Sequence, residues 1–163
     1  MAQDSVDYRD LDRTDRRILH ELQLNARQTN AELASTVALS ESACLRRVRR
    51  LEAAGIIRAV VALVDQPAAG FPDSVFVTIT LTSQQQDDLK RFEEAVTSLP
   101  EVMECYLMSG DADYLLRVIV ADARDYERIH SQHLTRLPGV ARVQSSFSLR
   151  TVIKRTELPI RQA

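Results

Sequence analysis

Apolar residues recur at a helical period through the first fifty positions and largely at a period of two through several later runs. In "RTDRRILHELQL" Ile18, Leu19 and Leu22 fall on one face, the three-and-four spacing of a helix packed on one side. Asp12 stands where an N-cap carboxylate accepts a free backbone amide, with Asp15 close behind, so a helix is predicted over about 13–24. "TNAE" sets Thr29 and Glu32 at capping-box spacing and opens a short helix through Val37. "ALS" makes a tight turn, and Ser40 caps a third helix running to about Ala54, with Gly55 in the position of a helix C-terminal glycine. The β-branched run "IIRAVVALV", 56–64, predicts a strand or wing.

Beyond "VDQPAAGFPDS", the one stretch rich in Pro and Gly, the pattern repeats itself. "LPEV" at 99–102 and "LPGV" at 137–140 each join a helical run to a strand run. Strand "VFVTITL" (75–81) and helix "QDDLKRFEEAVTSL" precede the first; strand "YLLRVIV" (114–120) and helix "DARDYERIHSQHLTRL" precede the second. The order βαββαβ is the ferredoxin-like arrangement. The fold class is therefore α+β, with a winged helix-turn-helix over residues 1–64, a linker over 65–74, a ferredoxin-like domain over 75–155 and a tail over 156–163. Two helices on one face of four strands leave the other face bare, and a second copy of the chain is the simplest cover for it.

Composition narrows the class. With 163 residues, 45% apolar and 27% charged, the chain is globular rather than disordered. No apolar run approaches the roughly 18 residues of a membrane span. The acidic start "MAQDSVDYRDLDRTDRR" lacks the apolar centre of a signal peptide. Cys44 and Cys105 form neither a disulfide framework nor a zinc pattern. A cytoplasmic protein is expected, with no membrane partner and no cofactor. The net charge of −2 divides unevenly: residues 1–64 carry ten arginines against nine acids, and residues 65–163 eleven basic groups against fourteen acids.

Four arginines crowd "CLRRVRRLE", 44–52. At about 100° per residue, Cys44, Leu45, Val48 and Leu51 make a packing side, with Cys44 a small buried hydrophobe; Arg46, Arg49 and Arg50 lie opposite, and Arg47 on the flank. A solvated helix face is the plain reading. Nucleic-acid binding is favoured by three features. No carboxylate interrupts residues 42–51, small Ser42 and Ala43 would let the helix start approach base edges, and a short capped helix precedes it across a tight turn, as in helix-turn-helix units. The guanidinium fork suits phosphate or guanine bidentately.

"SGDADY", 109–114, sets Asp111 and Asp113 two apart beside a glycine-led turn. A calcium loop would need a following Asn/Asp-Gly and a glutamate at its twelfth position, and neither is present. No histidine or nucleophile accompanies the pair, so a catalytic role lacks partners and an enzyme is not expected. A hairpin turn capped by aspartates is the plain reading. His130 and His133, one helical turn apart, read as surface rather than as metal ligands.

"LDRTDRRILHELQLNARQTNAELASTVALSESACLRRVRRLEAAGIIRAVVALVD" resembles the N-terminal domain of the feast/famine (Lrp/AsnC) regulators, the leucine-responsive and asparagine-responsive proteins. "VMECYLMSGDADYLLRV" resembles their effector-sensing domain. The likeness spans roughly residues 8–155; Ala38 departs from it, since the turn there usually carries glycine. It implies an effector-responsive regulator of transcription that binds double-stranded DNA. Ser42, Ala43, Arg46 and Arg47 would lie nearest the bases, with Arg49 and Arg50 on phosphates, Arg58 in the wing and Ser40 among the DNA-binding residues. It also implies a small amino-acid effector at a contact between subunits. Leu107, Gly110, Asp111, Asp113 and Tyr114 would contribute from one side, Ser146, Phe147 and Ser148 from another, in a homodimer that builds to an octamer. The serines beside Phe147 suggest a compact uncharged side chain on the effector. The alternative is a small-molecule-binding assembly protein that reads no DNA sequence.

Overall fold

The computed structural model describes residues 11–160, so the acidic stretch 1–10 and residues 161–163 of the tail lie outside the described residues. Two compact units form: the chain up to Ala62 joined by the segment from Ile153 onward, and Leu63–Val152.

The first unit holds α1 (Arg13–Leu24), α2 (Asn30–Thr36) and α3 (Glu41–Ala53). Each start is capped. Asp12 accepts the Asp15 amide at 2.8 Å, and Asp15 reaches back to the Asp12 amide at 3.3 Å. Thr29 and Glu32 form the second capping box, and Ser40 accepts the Ala43 amide. Such reciprocal bonds satisfy amides that a helix start leaves unpaired. α3 ends on Gly55 at φ +71°, whose left-handed backbone lets the Ile56 amide reach back to Leu51 O at 3.0 Å, a closure that glycine permits at little steric cost. Ile18, Leu33, Val37, Cys44 and Leu51 pack into one core.

The predicted strand over 56–64 is corrected. No ladder forms there, and Val60, Val61, Leu63 and Val64 are each at least 65% exposed. A strand needs a neighbour to hydrogen-bond with, and this segment has none among the described residues. Leu45, placed on the packing side by the wheel, is also corrected: it is exposed, outside the core. The core direction on α3 is set by Cys44, Val48 and Leu51. Leu45 lies roughly 90° from it and Arg47 roughly 70°, so the arginine is the more inward of the two.

The second unit opens with a turn over the segment read as linker, braced by Gln66, whose side-chain amide donates to Phe71 O at 2.8 Å. It then runs β1 (Asp73–Leu81), α4 (Gln86–Thr97), β2 (Val102–Leu107), β3 (Tyr114–Val120), α5 (Ala123–Gln132) and β4 (Val140–Phe147). The sheet is antiparallel in the order β2-β3-β1-β4. Val75, Val77, Ile79 and Leu81 alternate inward on β1, facing Tyr114, Leu116, Val118 and Val120 on β3 in one core with Phe92 and Ile129, the period-two burial of a sheet covered on one side. The second helix is shorter than predicted. It breaks at His133 into a 3-10 turn, Leu134–Arg136. Its buried residues explain this: Tyr126 and Ile129 keep helical spacing, but the next, Leu134, comes five positions later, so the chain must reset its phase to bury it.

Candidate DNA interface and effector site

α3 presents its arginines in two rows, each at the i,i+3 spacing that brings side chains alongside one another. Arg47 and Arg50 face α1. Arg47 Nη1 donates to Asp12 Oδ2 at 2.6 Å and to Asp15 Oδ1 at 2.8 Å, and Arg50 Nη2 donates to Asp15 Oδ2. The Asp15 side chain is 1% exposed. Burial opposes ionisation of Asp12, but the Asp15 amide and the Arg47 guanidinium outweigh it and hold the carboxyl below its ordinary range. The two carboxylates in turn hold Arg47 above its ordinary value. Arg46 and Arg49 form the other row. Both are exposed, and neither makes an ion pair among the described residues. Ser42 is exposed and Ala43 half-buried at the helix start; Ser40 is occupied as the cap, and Arg58 is exposed beyond Gly55.

The effector candidates fall into separate groups. Asp113 is buried and braces the fold: its carboxylate accepts from the Leu81 amide at 2.6 Å and from Gln84 Nε2 at 2.5 Å. Tyr114 is buried on the helix-covered face, its ring centroid 4.4 Å from Phe92 and its hydroxyl donating to Glu93 at 2.9 Å. Burial and that carboxylate hold its phenol above the ordinary range. Leu107, Gly110 and Asp111 are exposed at the end of β2 and in the following loop, where Gly110 takes φ +147°. Ser146 and Phe147 lie on β4 at the opposite edge of the sheet, roughly 14 Å away by three strand spacings. Phe147 turns to the helix face, edge-on to Tyr126 at 5.2 Å, and the Ser148 amide donates to Ser74 O. One chain thus brings together Leu107, Gly110 and Asp111 over an Asp113 brace, and keeps Ser146, Phe147 and Ser148 apart from them.

Sequence reasoning missed the polar centre of the open sheet face. Arg117 on β3 donates to Glu104 on β2 at 2.7 Å, and the Tyr106 hydroxyl donates to the same glutamate at 3.1 Å. Phe76 pairs in register with Arg117 and stands 41% exposed beside it. A charged residue in each of two alternating strands was the available signal. Among the described residues no group of three or more His, Cys, Asp or Glu is placed to hold a metal, and no helix is long and apolar enough to cross a membrane.

A capped three-helix unit bearing an exposed arginine row, followed by a βαββαβ unit with an open sheet face, defines a two-domain regulator of transcription with a winged helix-turn-helix and a ligand-binding domain. Profiles of the winged helix-turn-helix DNA-binding domain and of the Lrp/AsnC ligand-binding domain match residues 11–58 and 74–158. The chain belongs to the Lrp/AsnC family, whose members are transcriptional regulators rather than enzymes. The Bkd operon transcriptional regulator of Pseudomonas aeruginosa is 42% identical over 93% of this chain and 99% of its own length. The leucine-responsive regulatory protein of Escherichia coli is 46% identical over 81% of this chain and 80% of its own. Among solved structures, a Neisseria meningitidis transcriptional regulator in complex with L-Met superposes with a TM-score of 0.86. It is 38% identical, covering 91% of this chain and 96% of that one.

Proposed function

We propose that α3 enters the major groove of double-stranded DNA, with Ser42, Ala43 and Arg46 nearest the base edges and Arg49 on the phosphate backbone, while Arg58 approaches the flanking backbone. The observation that carries this reading is the exposed Arg46/Arg49 row on a helix whose N-terminal end is small and capped. Recognition helices present that end to the bases, and guanidinium groups further along fix register on phosphates. A regulator of this kind works in the cytoplasm, beside the chromosome.

A second copy covers the open sheet face. Phe76, Leu115 and Tyr106 surround the Glu104–Arg117 pair there, an apolar rim with a polar centre that suits self-association. The effector is a small amino acid held where subunits meet, because the two groups of candidate residues stand at opposite sheet edges in one chain. Asp111 accepts its ammonium group and the amides around Gly110 receive its carboxylate. The Neisseria regulator's L-Met complex supports this class of ligand. Binding at a subunit contact shifts the balance among assembly states, and the occupied state reads DNA differently.

Two experiments test the reading. Footprinting of the purified protein on a promoter fragment, at several salt concentrations, should reveal a protected site whose affinity falls with salt; salt-insensitive or absent protection overturns it. A thermal-shift screen of the twenty amino acids should raise the melting temperature for a small uncharged member. Asp111→Ala should abolish the rise. Asp113→Ala is the poorer probe, since it removes the brace on Leu81 and Gln84.

A further inference from the structure

The two carboxylates at the start of α1 do more than cap it, and the four arginines of α3 are not four equal charges. Every oxygen of Asp12 and Asp15 has a partner. Asp12 Oδ1 takes the Asp15 amide and Oδ2 takes Arg47; Asp15 Oδ1 takes Arg47, and Oδ2 takes both Arg50 and the Asp12 amide. One capping box therefore also closes a two-arginine clasp between helices that are 35 and 32 positions apart in sequence at its contacts. We infer that Asp15, with Arg47 and Arg50, is a positioning device for the reading helix: it fixes the rotation of α3 on α1 so that Arg46 and Arg49 point outward, and it withholds two positive charges from the nucleic acid. The inference rests on α3 being the DNA-reading helix.

The physical case has three parts. A fully satisfied charged network near a core rigidifies, because moving any member leaves a buried charge unpaired. Asp15 is such a charge, with 1% of its side chain exposed. The two rows differ by about 100° of helix rotation, so one row cannot reach α1 and phosphate alike. Finally, an α3 held by salt links from one side only can keep a defined angle while its opposite side approaches a polyanion, which would otherwise pull all four guanidinium groups toward itself.

The test is the salt dependence of binding to a random-sequence duplex, measured beside thermal unfolding of the same full-length variants. Arg49→Ala should flatten the slope of log K against log salt by about 0.9, one phosphate contact, and Arg46→Ala should relax the preference for a protected promoter site over random duplex, each with little change in melting temperature. Arg47→Ala and Arg50→Ala should keep the slope and lower the melting temperature by several degrees. Asp15→Asn, which keeps shape and removes charge, should steepen the slope by about 1, because it frees Arg50 for phosphate while Arg47 keeps Asp12. A merely structural aspartate would not steepen it. If Asp15→Asn fails to fold, Arg50→Ala decides alone, since its side chain is half exposed. Flattening by Arg47→Ala or Arg50→Ala equal to that by Arg49→Ala overturns the proposal, as do equal melting losses in all four arginine variants. Should the wild type bind no duplex at all, the DNA reading of α3 falls, and the melting comparison still judges the clasp.

Discussion

Ala38 takes φ +56°, the one non-glycine with positive φ among the described residues. It closes α2 by the same device that Gly55 supplies to α3: the next amide, that of Leu39, reaches back to Ala34 O at 2.9 Å. Alanine suffers contact between its Cβ and the following carbonyl in this conformation. Ala38→Gly should therefore stabilise the helical unit by about 1 kcal/mol, read from the midpoint of urea unfolding at unchanged m-value. A destabilised Ala38→Gly would mean that the methyl group contributes packing the backbone argument omits. Asp15 is the opposite case at this scale, a residue whose value lies in partners brought from elsewhere in the chain. As a helix-start acid it is worth a few tenths of a kcal/mol; as a buried double acceptor it holds a second helix.

At the scale of elements, the C-terminal segment changes what the helical unit is. It returns to α1, where Gln23 Oε1 accepts the Leu158 amide at 2.7 Å and Gln23 Nε2 donates to Leu158 O at 3.3 Å. Ile160 then packs against the core of Ile18, Leu33 and Leu51. A side-chain amide bound to both backbone groups of one residue imitates a strand partner, which orders a segment with no ladder of its own. Truncation after Arg155 removes this contact, and Ile160→Ala weakens its apolar part. Each should lower the stability of the helical unit by about 1–2 kcal/mol, judged by chemical unfolding of otherwise full-length protein. An unchanged midpoint in both would assign the tail no stabilising role.

At the scale of the molecule, the proposed association rests on unpaired apolar surface. Phe76 on the open sheet face is 41% exposed, and Val60, Val61, Leu63 and Val64 are 65–75% exposed, apolar surface of the kind that marks interaction sites when contiguous. Phe76→Asp removes the ring and places a carboxylate beside Arg117 at the proposed contact, where an added charge is desolvated only at a cost. Sedimentation should then report monomer at concentrations where the wild type associates, with the helical content retained. Persistence of the wild-type assembly would move the contact to another face.

The capping residues, the helix period of the first unit and the strand alternation of the second were all legible in the sequence, because each depends on neighbours within one or two turns. Asp12, Thr29 and Ser40 start the helices they were expected to start, and the repeated Leu-Pro joints lie between helix and strand on both occasions. What the tertiary structure alone decided involves distant partners. A wheel sets Arg46, Arg49 and Arg50 opposite the packing side and Arg47 on the flank, but it cannot say that an acidic helix start lies beside Arg47 and Arg50. It likewise cannot tell an available carboxylate from a committed one, as Asp111 and Asp113 demonstrate. The strand signal of 56–64 records a preference for pairing, and pairing requires a partner that the described residues do not supply. Sequence by itself determined the helices and strands whose pairing and packing are local in pattern, though not the strand over 56–64 or the end of α5; three-dimensional contact decided which charges remained for other molecules, because neutralisation depends on distance in space and not on position along the chain.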